Sequence, residues 1–138
     1  MYEPMLFRDR RRPAQIALGG VVPAIAGVIA GVLIGVSSGA YWGYAVLVAI
    51  GAIVAGFEHR DGWGAADRGL IAGLIYGIAL LVAHTIAGTH AQASLGSFPP
   101  LLAVLTAIAG MLLSALGGRI VRPQRERERA SAPAAADD

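Results

Sequence analysis

Four long apolar stretches divide this chain, at residues 14–37, 41–57, 69–88 and 100–118, with short polar breaks between them. They run from 17 to 24 residues, and a membrane-spanning helix needs about 20. The pattern predicts an all-α integral membrane protein with four transmembrane helices. The second stretch is the shortest. At 1.5 Å per residue it reaches roughly 26 Å, enough to cross with little tilt or with help from aromatic ends. Tyr41, Trp42 and Tyr44 stand at its start, where amphipathic rings favour the membrane interface.

The polar positions sort by side. Arg8, Arg10, Arg11 and Arg12 precede the first span, Arg60 and Arg68 lie between the second and third, and Arg119, Arg122, Arg125, Arg127 and Arg129 follow the last. The nine acidic residues fall in the same three segments, and the connections near 38–40 and 89–99 carry no charge. Cytoplasmic segments hold the Lys/Arg excess, so both termini are expected inside (N-in/C-in). The first stretch has the basic start of a signal peptide. Its apolar run is too long for one and no A-x-A site follows, so it is read as a retained span. The organisation expected is a basic cytoplasmic arm over 1–13, with Met5 and Phe7 at the interface, a four-helix domain over 14–120, and a charged, disordered cytoplasmic tail over 121–138.

Composition agrees with the pattern. The chain is 56% hydrophobic and only 14% charged, whereas soluble domains are about a quarter charged. Cysteine is absent, which excludes disulfides and thiolate chemistry. The net charge of +2 is too small to imply nucleic acid.

Smaller signals lie within the spans. Pro23 sits inside the first stretch, so that helix is expected to kink or to start later than 14. Ser37, Ser38 and Gly39 predict a tight outer turn. Asp61 or Asp67 could cap the third span, and Pro99 and Pro100 open the fourth. Residues 26–35 (AGVIAGVLIG) align with 68–77 (RGLIAGLIYG), and 45–50 (AVLVAI) with 103–108 (AVLTAI). These matches predict two tandem helical hairpins as a parallel internal repeat, with a symmetry axis along the membrane normal.

Glycine spacing is the most specific feature. Gly27, Gly31, Gly35, Gly39 and Gly43 recur every four residues, as do Gly69, Gly73 and Gly77. Thr106, Gly110, Ser114 and Gly118 form a weaker row. Residues four apart share a helix face. Small residues there let backbones approach, and such packing holds helices together in lipid. Spacing leaves open whether the partner is another span of the same chain or another protomer.

His84 is the one ionisable residue well inside a predicted span, and intramembrane ionisable groups raise functional hypotheses. It could ligate a haem or chlorophyll, or relay a proton. The plainer reading, a neutral imidazole near the outer end bonded to a carbonyl or Thr85, is preferred, and no cofactor is expected. Tyr76 and Thr106 could join His84 along a narrow polar path, although such residues more often bond their own helix. No carboxylate or Arg is expected inside a span, which weighs against coupled ion transport. The segment 58–68 carries mixed charge but no catalytic or phosphate-binding spacing. Arg10, Arg11, Arg12, Arg119 and Arg122 are placed to meet anionic lipid headgroups.

Residues 51–77 (GAIVAGFEHRDGWGAADRGLIAGLIYG) and 115–118 (ALGG) resemble a group of small prokaryotic four-span, glycine-rich membrane proteins of unknown function. The resemblance covers about half the chain and implies the same architecture, with no activity attached. The function expected is that of a non-enzymatic structural or accessory membrane protein. It would be a homo-oligomer or a subunit of a larger complex in the prokaryotic cytoplasmic membrane, assembled through glycine-lined faces. The alternatives are a channel or carrier for a small solute or ion, and a His84-ligated haem or pigment subunit.

Overall fold

The computed structural model describes residues 10–59, 62–94, 96 and 98–131. Met5, Phe7, Arg8, Arg60, Asp61, Ser97 and the tail beyond 131 lie outside the described residues. Four helices are long and apolar enough to cross a membrane. They are α1, Arg12–Val36, α2, Ser38–Gly56, α3, Gly62–Ala87, and α4, Pro100–Ser131. With most of its large apolar side chains facing outward, the chain is built as a multi-pass membrane protein. In lipid such a surface costs nothing, and helices satisfy every backbone group internally.

Several boundaries differ from the sequence expectation, each for a local reason. Pro23 neither delays nor ends α1. The turn before it, Ala17–Val21, is a π-helix, and the Val22 amide donates to Ala17 O. Proline has no N–H and crowds the carbonyl four residues back. The wider turn accommodates both defects without stopping the helix.

The turn between α1 and α2 is a single residue. Ser37 is extended (φ −161°, ψ 131°) and its Oγ accepts from the Ala40 amide at 3.4 Å, an N-cap. Ser38 and Gly39 already belong to α2.

The third helix, α3, starts at Gly62 rather than 69, so Asp67 and Arg68 lie inside it. Arg68 thus lies within the helix, although Ser114 is the one polar side chain in the buried core among the described residues. The Arg68 side chain is only 13% exposed. It reaches back to Ala55 O at 3.4 Å and Glu58 at 3.2 Å, a long stem carrying its charge toward the helix end. Ala65 and Ala66 are buried on the same turns, so packing continues where charge alone predicts a loop.

Likewise α4 runs through Gly117 and Gly118 to Ser131, beyond the expected end of the span at 118. Arg and Glu are good helix formers, and Arg122 and Glu126 pair at 2.9 Å one turn apart. The glycines do not end the helix because they are buried in a helix contact.

Around the bundle the order is α1, α3, α4, α2. The fullest contacts join α3 to α4 and α1 to α3; α2 leans mainly on α4 and touches α1 less. The hairpins are therefore not packed equivalently, as a twofold along the membrane normal requires. The tandem sequence match is not carried into the packing. Longitudinal placement is fixed by cross-links at both ends. At one end the Gln92 amide donates to Ile34 O at 2.8 Å, and Ala93 is buried in the cluster of Ile34, Tyr41, Tyr76 and Leu80. At the opposite end Arg10 meets Glu58 at 2.7 Å.

Candidate functional site

The glycine rows are spent inside the chain. On α1, a Cβ added at Gly27 would strike Tyr76 O and come within 2.9 Å of Ala79 Cβ. One at Gly31 would strike Leu80 O and approach Ala83 Cβ at 2.9 Å. On α3, Gly69 faces Gly110 O and Ser114, Gly73 faces Thr106 O and Ala107 Cα at 3.0 Å, and Gly77 faces Thr106 Oγ1 and Ala103 Cα at 2.7 Å. The α1 face thus receives α3, and the α3 face receives α4. Gly35 meets Thr89 of the α3–α4 connection instead of a helix. Gly118 is buried against α2, its amide 3.0 Å from the Cβ position of Gly56.

Gly56 and Gly117, outside the rows singled out from spacing, make the α2 contact with α4. The Cβ position of Gly56 lies on Ser114 O, and that of Gly117 lies on Ile53 O. Ser114 sits where three helices meet. Its Oγ donates to Ala52 O of α2 at 3.1 Å, and its side chain closes over Gly69 of α3. It is 5% exposed. A lone pair of glycines is a weak signal in a glycine-rich span, and only the fold shows that these two meet.

The other glycines of α2 behave differently. Gly39 has only its own neighbour Ser37 Oγ nearby, at 3.8 Å, and Gly43 and Gly51 have nothing within 4 Å. Gly39 and Gly43 do not extend the α1 row, because the break at Ser37 turns the chain back. With Leu47 and Gly51 they mark an outward face of α2 at four-residue spacing, and Leu47 is exposed.

The polar candidates occupy three separate surroundings and form no common lumen. Tyr76 is buried in the apolar cluster with Ile34 and Tyr41. Thr106 donates to Ala103 O at 3.0 Å on the α3–α4 seam. His84 lies beside α1, its backbone nitrogen 3.1 Å from the Cβ position of Gly31, and its Nδ1 is enclosed without a hydrogen-bond partner. Thr85 bonds Leu81 O at 2.8 Å, so the expected contact of His84 with it is not made. His84 offers a single nitrogen to a haem or pigment. Among the described residues no three side chains gather as metal ligands. Between α1 and α3 an open groove of about 610 Å³ faces outward, lined only by apolar side chains such as Val28, Val32, Ala79 and Ala83.

The end of the bundle where α1 begins and α2 finishes holds the charge. Glu58 accepts from Arg10 Nη2 at 2.7 Å and from Arg68 Nη1 at 3.2 Å, tying the N-terminal arm to α3 through the α2–α3 turn. Gln15 Nε2 donates to Arg10 O at 3.0 Å and steadies the arm. Arg119 packs its stem by Gly62. Arg11, Arg12, Arg119 and Arg122 are exposed.

No family model, curated protein or solved structure matches this chain. The resemblance drawn from residues 51–77 and 115–118 therefore rests on those segments alone.

Proposed function

We propose that this chain is a non-enzymatic structural or accessory membrane protein. In this reading it resides in the prokaryotic cytoplasmic membrane with both termini inside, and associates with a second copy through the outward face of α2. The observation that carries this reading is the open space at Gly43 and Gly51. The rows on α1 and α3 are already filled from within the chain, so they are not free to join protomers. In lipid, helix association depends on close backbone approach at small residues, and α2 is the helix least engaged inside the bundle. Transport is the weaker reading, because the hydroxyls of Thr85, Thr106 and Ser114 all bond backbone carbonyls.

Native mass measurement of the detergent-extracted protein tests this. A dimer or higher oligomer is expected, shifting to monomer in Gly43→Leu, Gly51→Leu protein of unchanged helicity. A wild-type monomer that draws no partner from native membranes would end the proposal.

A further inference from the structure

That charged end of the bundle sorts its arginines into two kinds. Arg10 and Arg68 share Glu58, and Arg122 pairs with Glu126. Arg11, Arg12 and Arg119, like Arg127 two turns farther along α4, are exposed and make no ion pair among the described residues. All three stand where the spans end. Two of them also top an apolar column that faces outward. Arg12 is one turn from Ile16, which is 67% exposed. Arg119 follows Leu112 and Leu116 at helical spacing, and these are 60% and 49% exposed. The Arg119 side chain runs beside the start of α3, its Cγ 3.6 Å and its Nε 3.9 Å from the Cβ position of Gly62.

A cation above a lipid-facing apolar column matches one kind of ligand, a molecule with an anionic head above an apolar tail. The guanidinium fork suits phosphate oxygens. We propose that Arg11, Arg12 and Arg119 form a rim that binds the phosphodiester headgroups of anionic glycerophospholipids in the leaflet at this end. The proposal rests on the membrane reading of the four helices but not on the α2 contact. Here Arg10 and Arg122 are set apart, since a carboxylate already answers each.

The test is native mass spectrometry of the full chain from discs of equal phosphatidylglycerol and phosphatidylcholine. Wild type should retain phosphatidylglycerol preferentially. Arg12→Gln and Arg119→Gln should each lower that preference about fivefold, and the triple variant with Arg11→Gln should abolish it. Arg122→Gln should leave it unchanged. An equal loss in Arg122→Gln would mean that only bulk charge acts, and an unchanged preference in the triple variant would remove the rim altogether. Displacement of the lipid by millimolar inorganic phosphate would identify free phosphate as the ligand and overturn the lipid assignment.

Discussion

Gly69 and Gly110 face each other across the α3–α4 seam, and the fit is reciprocal. The Cβ position of each lies on the carbonyl oxygen of the other, and that of Gly110 is 3.2 Å from Gly73 Cα. Neither backbone can yield without moving a whole helix. A methyl group on either side therefore separates α3 from α4, the most extensive contact in the bundle.

Overpacking of this kind costs about 1–3 kcal/mol. Gly69→Ala and Gly110→Ala are expected to lower unfolding free energy in mixed micelles by that amount. Gly43→Ala, which meets open space, should stay within about 0.5 kcal/mol of wild type at concentrations that keep it monomeric. Equal effects at Gly69 and Gly43 would contradict the seam.

Ser114 joins three helices through one hydroxyl. Ser114→Ala removes the bond to Ala52 O while keeping the small volume beside Gly69. Hydrogen bonds between membrane helices average about 0.6 kcal/mol, so a loss near that figure is expected. Ser114→Leu should cost several times more, because Gly69 and Gly56 leave no room. The same micelle unfolding series distinguishes the two, and similar losses would show that packing at this junction is loose.

Glu58 is the common partner of Arg10 and Arg68. It is about a quarter exposed, as its pairs with Arg10 and Arg68 record. Exposed pairs contribute under about 1 kcal/mol, and breaking buried ones costs about 3–5 kcal/mol. Glu58→Gln is expected to fall between, at about 1–2 kcal/mol. It should also raise amide exchange over residues 12–16, because the arm loses its anchor. A double-mutant cycle with Arg10→Gln should give positive coupling. Additive losses would mean that the contact does not hold the arm.

Much of the architecture was legible without coordinates. Residues 14–37 and 100–118 lie within α1 and α4 almost as hydropathy places them, and Pro100 opens α4 as expected. Charge was a poorer guide to helix ends. Arg68 marks a boundary only if its guanidinium must leave the helix, and its long stem lets it reach Glu58 from within one. Gly117 and Gly118 read as a stop, yet a glycine serves a close approach as readily as a helix end. Of the site candidates, spacing singled out Gly27, Gly69 and Gly110 but not Gly56 or Gly117, which have no glycine four residues away to form a row.

By itself the sequence determined that four apolar segments must be helical, because unpaired backbone groups are too costly in hydrocarbon. It also determined that the charged residues cluster in three segments of the chain. The tertiary structure alone decided who meets whom. A glycine face has no side-chain shape with which to select a partner, so the pattern at Gly27 and Gly31 could not name α3, nor the pattern at Gly69 and Gly73 name α4. That choice follows from how the four helices fill space together, which also leaves Gly43 and Gly51 of α2 facing outward.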